Sequence, residues 1–94
     1  MKTVGPIFRE FEELLKLNLA DNQIEKMQNF DELTELIELS LRDNRIKRIE
    51  GLTNCVKLET LRMSGNFITD VNGIKSLEYL KTLKLLNNPL NDCT

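Results

Sequence analysis

Four asparagines, Asn22, Asn44, Asn66 and Asn88, recur at a constant interval of 22 residues, and each carries a carboxamide that both donates and accepts hydrogen bonds. One such group per interval suits the satisfaction of backbone N–H and C=O groups where the chain bends, not catalysis. Arg42, Arg62 and Lys84 offer cations to an acidic partner, and Asp21 and Asp43 add carboxylates one interval apart. Reagents for other chemistry are scarce. The chain has no histidine, which removes the commonest general base and metal ligand. Gly5, Gly51, Gly65 and Gly73 are dispersed and form no phosphate-cradling loop. Cys55 falls where a coil would turn it inward, and Cys93 lies in a tail with no cation close in sequence to activate it. No catalytic residue, cofactor or metal site is expected.

The elements that would position these groups follow the same interval. Leu14, Leu17, Leu19, Asn22 and Ile24 are matched by Leu36, Leu39, Leu41, Asn44 and Ile46. Leu58, Leu61, Met63, Asn66 and Ile68 follow, and then Leu80, Leu83, Leu85, Asn88 and Leu90. A fixed period in this range signals a stacked repeat. Within each unit the apolar spacing switches from two to three. Alternation at Leu17 and Leu19 predicts a short strand buried on one face. Spacing of three follows at Met27, Phe30, Leu33, at Ile49, Leu52, Cys55 and at Val71, Ile74, Leu77, as in a 3-10 turn whose side chains eclipse. Asn29, Gly51 and Gly73 hold equivalent places and predict a left-handed backbone there.

Length and composition bound the rest. Ninety-four residues, 40% hydrophobic and 30% charged, make one small domain. Thirteen basic against fifteen acidic residues leave a net charge of −2, without the basic excess of a nucleic-acid binder. Charged or amide residues interrupt every apolar run, so no membrane span is expected, and residues 1–6 lead into no hydrophobic signal core. Two cysteines in different repeats make no disulfide framework, which predicts a cytoplasmic location, with cilia and nucleus also open. After Gly5-Pro6, the residues Ile7, Phe8, Phe11, Leu14 and Leu15 share a helical face that would cap the first coil. The domain reading is a capping helix over 1–13 and a repeat domain over 14–94, divided 14–35, 36–57, 58–79 and a partial 80–94. The fourth strand is expected to present an open edge beside Leu85, Leu86 and Leu90, where a second copy or another subunit would pair, or else the last coil would fray.

The frame L-x-x-L-x-L-x-x-N-x-I, with Ile-Glu-Gly-Leu at 49–52, Gly-Asn-Phe-Ile at 65–68 and Thr53-Asn54-Cys55-Val56-Lys57-Leu58-Glu59, resembles the leucine-rich repeat superfamily from Leu14 to Leu90. It is similar to the short intracellular type found in the regulatory subunit of type-1 protein phosphatase and in axonemal dynein light chain. The resemblance implies an α/β solenoid, a right-handed curved stack of four coils. A short parallel sheet would line the concave side and 3-10 or irregular segments the convex side. It also implies a protein partner.

Outward positions of the strands can then be read off by parity. Lys16, Glu38, Thr60 and Thr82 form one column and Asn18, Ser40, Arg62 and Lys84 a second. Ala20, Arg42, Ser64 and Leu86 form a third, with Asp21, Asp43, Gly65 and Asn87 at the strand ends. These columns are the expected protein-binding face, its anchors the arginines because no aromatic residue stands in them. The alternatives are a merely solvated surface, or a structural role in cytoskeletal or ciliary assembly through the open edge. On the convex side, Glu25 with Lys47 and Glu35 with Lys57 are one period apart and are expected to pair, while Phe67 and Tyr79, at outward positions of the third coil, are expected to serve as half-buried packing or as a small lateral contact.

Overall fold

The computed structural model describes residues 15–89. Strand β1 (Lys16–Asn18), β2 (Glu38–Ser40), β3 (Thr60–Arg62) and β4 (Thr82–Lys84) each hold three residues with a leucine at the centre. They form one parallel sheet in the order β1-β2-β3-β4, so neighbours in sequence are neighbours in space. The register advances by one repeat at every step, as in Leu17↔Leu39, Leu39↔Leu61 and Leu61↔Leu83. Parallel strands need a long crossover, and here the rest of each coil supplies it.

The return side is built from the residues spaced by three. Leu33 N–H donates to Phe30 O and Leu36 N–H to Leu33 O, and the next coil repeats this with Cys55 to Leu52 and Leu58 to Cys55. In the third coil, Ile74, Leu77 and Leu80 continue the pattern around a 3-10 helix over Asn72–Ser76. Each i to i+3 bond stacks the next apolar side chain above the last, so the spacing is the hydrogen-bond pattern itself. Among the described residues there is no α-helix; between the strands and the one 3-10 helix the coils run through turns and irregular backbone. The expected capping helix over 1–13, with Leu14, Leu90 and Cys93, lies outside the described residues.

The core runs through the stack as a column of aliphatic layers. Leu36, Leu39, Leu41, Leu58, Leu61 and Met63 are fully buried, as are Ile24, Phe30, Ile46, Cys55 and Ile68. Leu80, Leu83 and Leu85 of the fourth coil are only half-buried although they hold the same positions. Val71 and Ile74 are likewise less buried than Ile49 and Leu52.

The asparagines tie coil to coil. Asn66 Nδ2 donates to Met63 O (2.8 Å) and Ser64 O (3.4 Å) in its own coil and to Leu41 O (2.9 Å) in the preceding one. Its Oδ1 accepts from Ile46 N–H at 3.0 Å. Asn44 does the same with Leu41 O, Arg42 O, Leu19 O and Ile24 N–H. Asn88 repeats it with Leu85 O, Leu86 O, Met63 O and Ile68 N–H. Among the described residues, no buried side-chain nitrogen or oxygen lacks a partner.

Two conformational findings separate from expectation. Asn29 (φ 65°) and Gly51 (φ 75°) are left-handed as expected, but Gly73 is not. It lies inside the 3-10 helix, and glycine is required there because a Cβ would overlap Ile49 O of the coil beneath. A second left-handed position, unexpected from sequence, falls just before each ladder asparagine: Asp21 (59°), Asp43 (56°), Gly65 (74°) and Asn87 (58°). Only Gly, Asn and Asp adopt this backbone readily, which explains the residue types.

Replacing Asn66 with alanine would orphan a buried N–H and several carbonyls. The expected loss is about 3 kcal/mol in the denaturant midpoint analysis. Asn88→Ala, at a half-buried site, is expected to lose roughly half as much. Equal losses of under about 0.5 kcal/mol for both would remove the ladder from the account of stability.

Candidate functional site

Each of the four short strands turns side chains away from the core on either side of its central leucine. The register pairs Lys16 with Glu38, Glu38 with Thr60 and Thr60 with Thr82, which places the first expected column in one line. Asn18, Ser40, Arg62 and Lys84 fall in a second line by the same pairings. Beyond the strands the backbone keeps step: Asp21 N–H donates to Arg42 O, Asp43 N–H to Ser64 O and Gly65 N–H to Leu86 O. Ala20, Arg42, Ser64 and Leu86 therefore form the third line. Neighbouring coils stand about 4.8 Å apart, so the sheet face is about 14 Å across.

The face is uneven. Lys16, Asn18, Asp21, Arg42, Asp43, Arg62, Lys84 and Leu86 are exposed, while Glu38, Ser40, Thr60, Ser64 and Thr82 are half-buried between taller neighbours. Ser64 Oγ accepts the Leu86 N–H at 3.1 Å, which fixes the backbone beneath the Leu86 side chain. Arg62 and Lys84 stand on paired strands, and Arg42 lies one coil back and one line over. Among the described residues none of these three cations takes part in an ion pair; the pairs formed are Lys57–Glu35 (2.7 Å) and Lys81–Glu59 (3.6 Å). Mutual repulsion of exposed cations at this spacing is at most about 1 kcal/mol and is screened by salt.

Asp21 and Asp43 occupy the left-handed turns that end the first two strands, so their type has a conformational reason independent of any ligand. The Asp43 carboxylate leans over the next coil and fills the space that a Cβ on Gly65 would take.

The convex expectations divide. Glu35 and Lys57 pair as their spacing requires, and Arg48 bridges Asp70 through the backbone in parallel sense. Among the described residues no ion pair joins Glu25 to Lys47. Phe67 and Tyr79 are both exposed. A shallow groove of about 310 Å³ runs along the flank, lined by Ile37, Lys57, Glu59 and Tyr79, a feature not expected from sequence. Its signal was available, since Tyr79 stands one period above Lys57 and Glu59 one above Ile37. Among the described residues no three His, Cys, Asp or Glu side chains converge for a metal, and no helix is long and apolar enough to cross a membrane.

Comparison with known proteins accords with this geometry. A family model described as leucine-rich repeats, in two copies, matches residues 34–76. A leucine-rich repeat protein of Leptospira interrogans superposes with a TM-score of 0.86 at 34% identity, over 96% of this chain and 24% of that one. An internalin from Listeria monocytogenes gives 0.88 at 26% identity, over 99% and 41% respectively. The chain is a leucine-rich repeat protein. A second Listeria monocytogenes internalin matches with a TM-score of 0.63 at 29% identity, over 97% of this repeat protein and 33% of that one. The repeat protein thus spans between 24% and 41% of these structures. No curated protein matches it in sequence. Repeats of this kind generally mediate protein–protein interaction.

Cys55 is the one described nucleophile to weigh, and burial makes it inert. Its thiol is fully enclosed, donates to Phe30 O at 3.5 Å, and is pushed up from 9.0 to about 11 by desolvation and then by the nearby Asp31 charge. The unfolded thiol ionises first as pH rises. The stabilisation from keeping it neutral is therefore complete below pH 9.0 and is lost as pH climbs towards about 11. The wild-type chain is expected to lose up to about 3 kcal/mol more than Cys55→Ala over that window, read as the difference between their urea midpoints at each pH. Parallel pH profiles for the two chains would show that the thiol is not linked to folding.

Proposed function

We propose that this leucine-rich repeat protein is a non-catalytic interaction module, an adaptor or regulatory subunit, that binds a partner protein across the concave face of its sheet. The observation that carries the reading is a rigid, register-locked array of outward side chains with Lys16, Asn18, Arg42, Arg62, Lys84 and Leu86 standing free of the surface. Asp21, Glu38, Ser40, Asp43, Thr60, Ser64 and Thr82 complete that face. Preorganised strands lower the ordering entropy that binding must overcome. The 22-residue interval supports the short intracellular type, similar to the phosphatase regulatory subunit and axonemal dynein light chain, and a cytoplasmic setting. Near-neutral net charge supports a protein partner over nucleic acid or membrane.

A second reading, structural self-association through the β4 edge, is favoured by one observation. Leu80, Leu83 and Leu85 remain half-buried where their counterparts in the second and third coils are sealed.

A photo-crosslinking residue at Thr60, on the sheet face, is expected to trap a partner protein that the same residue at the convex Thr53 does not. Adducts recovered from Thr53 alone would overturn the sheet-face reading. Sedimentation across a wide concentration range addresses the edge: a dimer that Leu86→Glu dissociates supports it, and a monomer throughout rejects it.

A further inference from the structure

The sheet-face reading leaves the partner's chemistry open, and the corner between β3, β4 and the turn after them narrows it. We infer that this corner receives an extended acidic segment of the partner protein, with one large apolar side chain two residues from an acidic one; the inference rests on the sheet-face reading.

Three features converge. Arg42, Arg62 and Lys84 form a diagonal band across the second, third and fourth coils, exposed and, among the described residues, outside any ion pair. Equivalent places in the other coils hold Asn18, Ser40 and Ala20, and the remaining exposed cation of the face, Lys16, stands apart on β1. Leu86 is 72% exposed, more than any other large apolar side chain described. It stands in line with Ser64 and Arg42, and Ser64 holds its backbone in place. Apolar and cationic groups thus lie side by side on a rigid frame, the composition of a contact anchored by Arg and completed by a covered leucine.

Spacing sets the segment's conformation. Lys84 and Leu86 belong to lines two residues apart along the chain, about 6.7 Å. Alternate side chains of an extended peptide repeat at that same distance. A segment lying along β4 therefore sets an acidic side chain over Arg62 and Lys84 and the side chain two residues away over Leu86. A helical partner would space its facing side chains by three and four residues and meet the two lines out of step.

The probe is a fluorescein-labelled decapeptide containing Asp-Glu-Ser-Leu, titrated against the full chain by anisotropy. Saturable binding is expected, falling on the order of tenfold when salt is raised from low to high concentration. Arg62→Glu is expected to weaken the acidic probe about tenfold and to recover binding of a Lys-Lys-Ser-Leu probe, which an unfolded variant would not do. Leu86→Ser should abolish the preference over an Asp-Glu-Ser-Ser probe while leaving that weaker probe unchanged. Four outcomes overturn the inference: no saturation up to about 1 mM, equal binding of acidic and basic probes, equal binding of an oligouridine of matched charge, or indifference to both substitutions. A Thr60 crosslink to a partner alongside any of these would leave the sheet-face reading standing and remove only the acidic segment.

Discussion

Every other feature of this molecule depends on how a coil of backbone can turn inward without leaving its polar groups unpaired. The turn at the end of each strand buries carbonyls from two successive coils and one N–H from the coil beneath. A single carboxamide at Asn44, Asn66 or Asn88 meets all of them. Because each asparagine bonds to its own coil and to the preceding one, it fixes the local turn and the stacking step together. The register of the sheet, and hence the alignment of the outward side chains, is a consequence of that double attachment.

The hydrophobic contribution is of a different kind. Leucine layers stabilise each interface between coils in proportion to the area they remove from water, but they would tolerate a slip or a rotation that the directional asparagine bonds forbid. Small residues then set how closely coils approach. Gly73 admits the carbonyl of Ile49, and Gly65 leaves room for the Asp43 carboxylate. Burial is lower at Leu80, Leu83 and Leu85 of the fourth coil, whereas Ile24, Met27, Phe30 and Leu33 of the first are fully buried.

That geometry turns a short chain into a platform. Strands of only three residues offer little surface singly, yet four in register carry polar, cationic and apolar groups at fixed intervals. Asp21, Glu38 and Asp43 share the first two coils with Lys16 and Arg42, while Arg62 and Lys84 are the charged groups of the face in the last two. The surface is distinguished by this order more than by the strength of any one contact, since exposed charges each contribute little.

The period, the leucine frame, the asparagine ladder, the inward Cys55 and the membership of each outward column were all legible in the residues, because each depends on spacing along one chain. Asn29 and Gly51 were legible as left-handed for the same reason. Gly73 misled, since an identical residue served close approach to Ile49 instead of positive φ, and that distinction exists only between coils. The left-handed turn at Asp21, Asp43, Gly65 and Asn87 was not legible, since these residue types share no charge or hydropathy and are united only by the backbone they tolerate. Glu35 and Glu25 look alike in sequence, yet only Glu35 reaches its lysine among the described residues, because rotamer and coil offset decide the last few ångströms. Sequence by itself determined that the chain stacks and which residues line each face. Tertiary structure alone decided which surface groups stand exposed and unpaired, for burial and charge pairing depend on the neighbouring coil and not on the residue's own position in the repeat.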